Sequence, residues 1–166
     1  MPHSREFDFK NEWYVFYKNL LAEVMREKIV VSDKSCFGCP MACGKYSHAK
    51  KEGKYDIYVE GPEYETIALC GGNCGFEDIA DIAYANWVCD NLGIDTISTG
   101  GVIAFAIECF KKGIITLEMT EGKNLEWGDT DSFSWLAEKI AKQVGIGAVL
   151  SLGTKKAAQI FGNGAD

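Results

Sequence analysis

The stretch Cys36-Phe37-Gly38-Cys39-Pro40-Met41-Ala42-Cys43 contains three cysteines with the spacing C-x2-C-x3-C. Gly38 and Pro40 interrupt regular helix or strand structure, so we expect a short loop that can turn all three sulfur atoms toward one point. Such a set of thiolates is typical of an iron–sulfur cluster, which usually has four thiolate ligands. The fourth ligand would then come from outside this stretch.

Zinc binding and free thiols are the alternatives for the cysteine stretch. C-x2-C is also half of many zinc sites, which pair it with a second C-x2-C or with two closely spaced histidines. Here the histidines are His3 and His48, far apart in the sequence, and there is no second C-x2-C. This asymmetry favours the iron–sulfur cluster over the other two.

Composition places the chain among ordinary globular proteins. Its 166 residues, 47% hydrophobic and 25% charged, can form one domain with a sizeable core. The net charge of −7 argues against a nucleic-acid surface. We find no apolar run of membrane-spanning length and no signal-peptide core, so we expect a cytoplasmic protein without a membrane partner. An odd count of seven cysteines suggests reduced thiols, as in an anaerobe, rather than disulfides.

Apolar residues recur at helical spacing along most of the chain. Glycines, prolines and acidic residues mark the ends of these segments. The pattern predicts a mainly α fold, a multi-helical domain with at most a short β-hairpin. The predicted helices run from Asn11 to about Lys28, from Pro62 to Gly71, from Glu77 or Asp78 to Gly93, from Ser98 to Gly113, from Asp131 or Ser132 to about Val144, from Ala148 to Leu152 and from Thr154 to Gly162.

Two short stretches favour extended structure. Ile29-Val30-Val31 is β-branched and is followed by Ser32-Asp33, so we expect a brief extended segment at most. Tyr55–Val59 alternates weakly between apolar and polar residues. We expect it to form one strand of a hairpin with residues near 45–50.

Outside the cysteine stretch, the reactive side chains have structural interpretations. Free cysteine is among the most buried residue types, and four cysteines lie on or beside apolar helical faces, where we expect core packing. They are Cys70, Cys74, Cys89 and Cys109. Glu65 falls in the first turn of a helix, where a carboxylate stabilises the positive end of the helix dipole. From the residues alone, this is the preferred interpretation of Glu65.

Three segments, in this order, make the chain resemble the aldehyde ferredoxin oxidoreductases, which are tungsten- or molybdenum-pterin enzymes of anaerobes. They are the cysteine stretch, Glu60–Thr66 and Cys89–Gly101. The resemblance covers about residues 30–162 and only the middle, helical domain of that family. It therefore implies that residues 1–166 form a single domain, and that the N-terminal pterin-binding domain and the C-terminal domain belong to a longer protein.

The resemblance also implies a ligand set. Cys36, Cys39 and Cys43 match the three clustered ligands of the family's 4Fe–4S cluster. The fourth ligand belongs to a D-x-x-G-x-C element in the family's third domain. In this chain Asp95 occupies the corresponding position of the local D-x-x-G-I-D element, so that element cannot supply the missing cysteine.

Four residues match the family segment that meets the pterin: Asp90, Gly93, Ile94 and Asp95. An aspartate can accept paired N–H bonds from an aminopyrimidine edge, and a glycine lets the backbone approach closely. Without the resemblance, the two aspartates could equally form turns at a helix end. Glu65 matches a glutamate near the metal, where it would act as a general acid or base with a pKa raised by burial.

The function implied is oxidation of a small aldehyde to a carboxylic acid, with ferredoxin as electron acceptor. The cofactors implied are a 4Fe–4S cluster and a tungsten (or molybdenum) bis-pterin, and a homodimer is compatible with the family. Tyr84 replaces a glutamate that holds a metal between subunits in some members, which puts that site in doubt. The alternatives are a relative that reduces an aromatic thioester, or a stand-alone iron–sulfur or zinc-binding interaction domain without catalysis.

Overall fold

The computed structural model describes residues 18–162 and 164–165, which are mainly α-helical as predicted. Residues 11–17 of the predicted first helix lie outside the described residues, and its C-terminal part forms α1. The helices are α1 (Ala22–Lys28), α2 (Tyr64–Thr66), α3 (Ile79–Leu92), α4 (Thr96–Lys111), α5 (Thr130–Lys142), α6 (Ile146–Leu150) and α7 (Thr154–Phe161). The predicted fold class is confirmed.

A small antiparallel sheet precedes most of the helices. Its strands are β1 (Val30–Lys34), β2 (Gly44–Lys51) and β3 (Tyr55–Glu60), in the order β1-β2-β3. The predicted hairpin is confirmed as β2–β3. The expected brief extended segment is a full strand, because its pairing partner is β2, which follows in the chain. Residues 35–43, which we call the cysteine loop, connect β1 to β2.

The sheet packs on α3 through alternate residues of β3. Tyr55, Ile57 and Val59 are buried, whereas Asp56 and Tyr58 face outward, as the period of two along a strand requires. One face of the sheet therefore forms part of the core, and its opposite face is exposed.

The buried carboxylate of Asp81, on α3, fastens β2 and β3 to that helix. Lys51 Nζ donates to both carboxylate oxygens of Asp81, at 2.9 and 2.8 Å. The Tyr55 hydroxyl donates to Asp81 Oδ1 at 2.7 Å. Burial and the neighbouring Asp81 carboxylate raise the pKa of Tyr55 well above its ordinary range, so its hydroxyl remains a donor. Asp81 thus accepts hydrogen bonds from a side chain of β2 and from a side chain of β3.

Helix α3 begins and ends where the sequence predicts. Asp78 caps its N-terminus by accepting a hydrogen bond from Ala80 N, and Gly93 ends it with a left-handed backbone, φ 67°. Helix α4 begins at Thr96, earlier than predicted, because Asp95 caps it through a bond from Ser98 N at 2.7 Å. The helix therefore begins two residues before Ser98, the predicted start, and its cap is the Asp95 carboxylate.

The predicted caps of the last long helices are wrong. Asp129, rather than Asp131 or Ser132, caps α5 by accepting bonds from the backbone N–H groups of both those residues. Helix α7 begins after Gly153, and Thr154 is its first helical residue. In α5 the carboxylate reaches forward to unpaired N–H groups, so the cap lies before the first turn.

Helix α2 continues as a wider π-helical turn over Ile67–Gly71 and a tight turn over Gly72–Cys74. The first turns of α4 pack on it, and Cys70 Sγ lies 3.2 Å from Thr96 O. Single π-helical turns are often found near functional sites. The segment Tyr64–Cys74 follows the last strand and contacts the start of α4, so it connects the sheet to that helix.

Among the described residues, no single helix has both the length and the apolar composition to cross a membrane. Helices α3 and α4 meet that criterion only as a pair, which is bent by 111°.

Candidate functional site

The cysteine loop leaves the sheet and carries the three predicted ligands. Cys36, Cys39 and Cys43 are all exposed and none forms a disulfide. A turn brings Cys39 N to 3.0 Å from Cys36 O. Phe37 and Met41 in the same loop are also exposed, so the core does not fix the loop through its apolar side chains.

The three thiols are accessible, but the structure does not hold them as a finished metal site. Within residues 18–162 and 164–165, no group of three or more His, Cys, Asp or Glu side chains is placed to hold a metal ion. The expected convergence of the sulfurs is therefore not seen here. The donor set still fits three of the four thiolate ligands of a cluster, because the loop is short and its sulfurs are exposed.

The last turn of α3, with Asp90, and the turn from Gly93 to Asp95 carry the four residues predicted to contact the pterin. Gly93 allows the left-handed turn, and Ile94 N returns to Cys89 O at 3.1 Å. Ile94 is half-buried against the core. The N–H bond from Ser98 lowers the pKa of Asp95, so its carboxylate is charged and is already engaged as a helix cap. Asp95 thus has a structural role as the N-cap of α4.

Asp90 lies in a different environment from Asp95. Asn86 Nδ2, one turn earlier on α3, donates to Asp90 Oδ2 at 2.8 Å. Burial raises the pKa of Asp90, the Asn86 bond opposes this, and the nearby Glu60 carboxylate raises it further. Asp90 is therefore an acceptor on an exposed residue, and an amide sets the orientation of its carboxylate.

Asn86 also connects this turn to the sheet. A Cβ on Gly61 would lie 2.9 Å from Asn86 Oδ1, so Gly61 permits a close approach between the end of β3 and α3. Gly61 N donates to Lys45 O at 2.6 Å, and Lys45 follows the cysteine loop by two residues. The turn and the loop therefore lie at the same end of the molecule.

The segment that carries Glu65 reaches the same end. Thr66 Oγ1 and Thr96 Oγ1 are 2.9 Å apart, which joins α2 to the first residue of α4. Glu65 itself is exposed, so the burial expected for it is not found among the described residues. The Thr66–Thr96 contact fixes the backbone next to Glu65. The Glu65 side chain itself does not have the environment of a buried acid.

An apolar groove of about 990 Å³ runs beside the cysteine loop. It is lined by α1, by α2 with the π-helical turn that follows it, and by the exit of the cysteine loop. Lining residues include Leu20, Met25, Cys43, Lys45, Pro62, Glu63, Tyr64 and Ile67. The predicted ligand Cys43 thus borders a space of ligand size.

The other cysteines are buried, as predicted. Cys74 Sγ lies 3.3 Å from Gly100 O and 3.4 Å from Leu69 O, and burial raises the pKa of Cys74 to about 12. Cys70, Cys89 and Cys109 are also buried. A thiol held in this way stays protonated near neutral pH and is a poor metal ligand. The exposed and buried cysteines therefore form two chemically different sets.

Two residues at this end of the molecule were missed by the sequence analysis. Asn86 lies four residues before Asp90 on a predicted helix, and that spacing could have suggested their contact. Lys45, which contacts the exit of the cysteine loop, gave no signal in the sequence, because its partners there are backbone carbonyls and its charged partner, Asp33, lies twelve residues earlier on β1.

A family model described as aldehyde ferredoxin oxidoreductase, domains 2 and 3, matches residues 3–166. The tungsten-containing aldehyde ferredoxin oxidoreductase of Pyrococcus furiosus is 38% identical over 157 residues, which are 94% of this chain and 25% of the relative. The enzyme of the same name from Thermococcus kodakarensis is 37% identical over 142 residues, 85% of this chain and 23% of the relative. The chain thus spans about a quarter of the length of these curated relatives.

Two further relatives carry other descriptions. An aliphatic sulfonate oxidoreductase, WOR-like subunit, of Pyrococcus furiosus is 37% identical over 122 residues, which are 74% of this chain and 19% of the relative. The solved active-site complex of benzoyl coenzyme A reductase with 1,5-dienoyl-CoA is similar in structure, with a TM-score of 0.68 and 30% identity. That similarity covers 86% of this chain and 21% of the solved chain.

Proposed function

The chain belongs to the aldehyde ferredoxin oxidoreductase family, and on that premise we propose that it is the central helical domain of a tungsten-pterin, iron–sulfur oxidoreductase. The whole protein would oxidise a small aldehyde to a carboxylic acid and pass the electrons to ferredoxin. We place it in the cytoplasm of an anaerobe. The rest of the site would come from the three quarters of the relatives' length that this chain does not span.

The observation that carries the proposal is the meeting of three segments at one end of the molecule. The bond from Gly61 N to Lys45 O joins the end of β3 to the exit of the cysteine loop. Asn86 packs on Gly61 and holds Asp90. These contacts join segments that are far apart in the sequence, which is what a shared cofactor site requires.

Each segment would contribute a different interaction. Cys36, Cys39 and Cys43 would supply three thiolates to a 4Fe–4S cluster. Asp90 would accept N–H bonds from an aminopyrimidine edge through its carboxylate, and the backbone at Gly93 and Ile94 would approach the same ring. When bound, the pterin metal would supply the two-electron chemistry and the cluster would relay single electrons.

Glu65 is proposed as the general acid or base. The contact of the neighbouring Thr66 with Thr96 places the backbone of Glu65 close to the start of α4, which follows the turn from Gly93 to Asp95. Since it is exposed in this chain, proton transfer would require it to be covered in the complete protein. Asp95 would mainly hold the start of α4 in place, because its carboxylate already accepts a backbone hydrogen bond.

Aldehyde oxidation is proposed over other reactions because the family model and the first two relatives described above share that name. The sulfonate and benzoyl coenzyme A relatives indicate that related chains serve other substrates. We expect this chain alone to show no turnover of an aldehyde with a viologen acceptor, because it holds only part of the pterin site. Measurable turnover would contradict the proposal that it is one domain of a larger enzyme.

Metal uptake tests the proposed cluster directly. The chain is incubated anaerobically with iron, sulfide and an excess of a small thiol, which can serve as the fourth ligand, and is then desalted. We expect about four iron atoms per chain and a broad absorbance near roughly 400 nm, from thiolate-to-iron charge transfer. A colourless product that retains zinc in preference to iron would contradict the proposal and support the alternative of a zinc-binding domain.

A further inference from the structure

The exit of the cysteine loop is held by one ammonium group. Lys45 Nζ donates to Cys43 O at 2.9 Å and also lies 3.3 Å from Gly44 O and 3.4 Å from Ala42 O. Its side chain is only 22% exposed, and Lys45 is the second residue of the central strand, β2. Three successive carbonyls therefore point at a single positive charge, and they include the carbonyl of a proposed ligand.

The same ammonium group reaches the entrance of the loop. Lys45 Nζ lies 3.0 Å from Asp33 Oδ1, and Asp33 stands one residue before the end of β1. Arg26 on α1 contacts the same oxygen at 2.9 Å. Hydrogen bonds from Lys45 and Arg26 lower the pKa of Asp33, so the carboxylate stays charged. The side chains of Lys45, Arg26 and Asp33 together carry a net charge of +1 at the base of the loop.

We propose that Lys45 is a positioning residue for the cysteine loop: it joins the two ends of the loop and fixes a net positive charge beside the thiolates. This inference rests on the proposed cluster. An isolated exposed ion pair contributes little to stability. Lys45 differs from such a pair because its ammonium group also contacts three backbone carbonyls at the exit of the loop, so its loss would release the loop.

Two consequences follow for a bound cluster. Ordering the loop in advance lowers the conformational entropy lost when three thiolates converge on iron, so the cluster is retained longer. A fixed positive charge stabilises the more negative, reduced state of the cluster, so the midpoint potential is higher than without it. These two effects can be measured separately.

The test compares variants of the 166-residue chain after anaerobic reconstitution with iron, sulfide and a small thiol. Lys45→Met should lose iron to a chelator about tenfold faster and should have a more negative midpoint potential. Lys45→Arg keeps the charge and several N–H donors, so it should restore much of both properties. Lys50→Met is the matched control, since Lys50 lies on the same strand but pairs with Asp56 away from the loop.

A second variant separates charge from loop order. Asp33→Asn removes the anion and increases the net positive charge, so the midpoint potential should shift to a more positive value. If Asp33→Asn and Lys45→Met shift the potential in the same direction, the effect of charge is excluded and the inference is overturned.

The two proposals fail in different ways. If the unaltered chain takes up iron and sulfide but Lys45→Met behaves like Lys50→Met in both measurements, the inference about Lys45 is wrong and the cluster proposal stands. If the unaltered chain takes up no iron, both are wrong. Thermal unfolding of each variant shows whether the fold is retained, and recovery in Lys45→Arg shows that a loss in Lys45→Met is not general unfolding.

Discussion

Replacing Gly100 with alanine should cost about 3 kcal/mol or more of stability, whereas the same change at the next residue should cost nothing. A Cβ on Gly100 would lie less than 3.0 Å from the backbone atoms Leu69 O, Leu69 C and Cys70 N. Backbone atoms cannot rotate away as a side chain can. The first turns of α4 would therefore have to separate from the π-helical turn on which they pack.

Gly101 provides the matched control within the same helix. A Cβ on Gly101 meets no atom within 4 Å. Gly101→Ala should therefore be neutral or stabilise the chain by up to about 1 kcal/mol, because alanine is the better helix former. Urea unfolding of both variants measures the difference. Equal stability of the two would contradict the close packing of α4 on the segment that joins it to α2.

Replacing Asp81 with alanine should destabilise the chain by roughly 2–4 kcal/mol. The buried Tyr55 hydroxyl would lose its acceptor, and the ammonium group of Lys51 would lose its counter-ion. Lys51 is partly exposed and can turn toward water, so the loss should fall short of that for a fully buried pair. Asp81→Asn keeps an acceptor oxygen and should lie between the wild type and Asp81→Ala.

The control for this prediction is Asp56→Ala on the outer face of the sheet. Asp56 also pairs with a lysine and contacts a second side chain, His48, but it is about half exposed. Exposed pairs of this kind contribute little, so the free energy of unfolding should stay close to that of the wild type. An equal loss in Asp81→Ala and Asp56→Ala would mean that burial of Asp81 does not fasten the sheet to α3.

Local patterns predicted the helices better than they predicted their first residues. Asp78 and Gly93 bound α3 as expected, because both signals act within one turn of the helix. For α5, several capping residues stand in a row, and the choice of Asp129 depends on which carboxylate reaches the unpaired N–H groups. The strand β1 was underestimated because its stability comes from pairing with β2 across the cysteine loop.

The candidate site was predictable in its residues but not in its surroundings. The cysteine spacing and the turn from Asp90 to Asp95 can both be recognised in the sequence. The contact of Asn86 with Gly61 and the carbonyl contacts of Lys45 depend on how distant segments meet, and no local pattern carries that information. The exposure of Glu65 could not be predicted either, because the sequence pattern of a helix start does not indicate which side chains of the first turn are buried against other segments.

The most direct test of the central claim is the absorbance near roughly 400 nm of reconstituted chains that lack different cysteines. Serine replaces Cys36, Cys39 and Cys43 together in one variant and the buried Cys109 in the other. We predict that the loop variant loses the absorbance and the bound iron, while the Cys109 variant keeps both. If the loop variant keeps the absorbance of the unaltered chain, the three exposed cysteines do not hold the cluster and the account is contradicted.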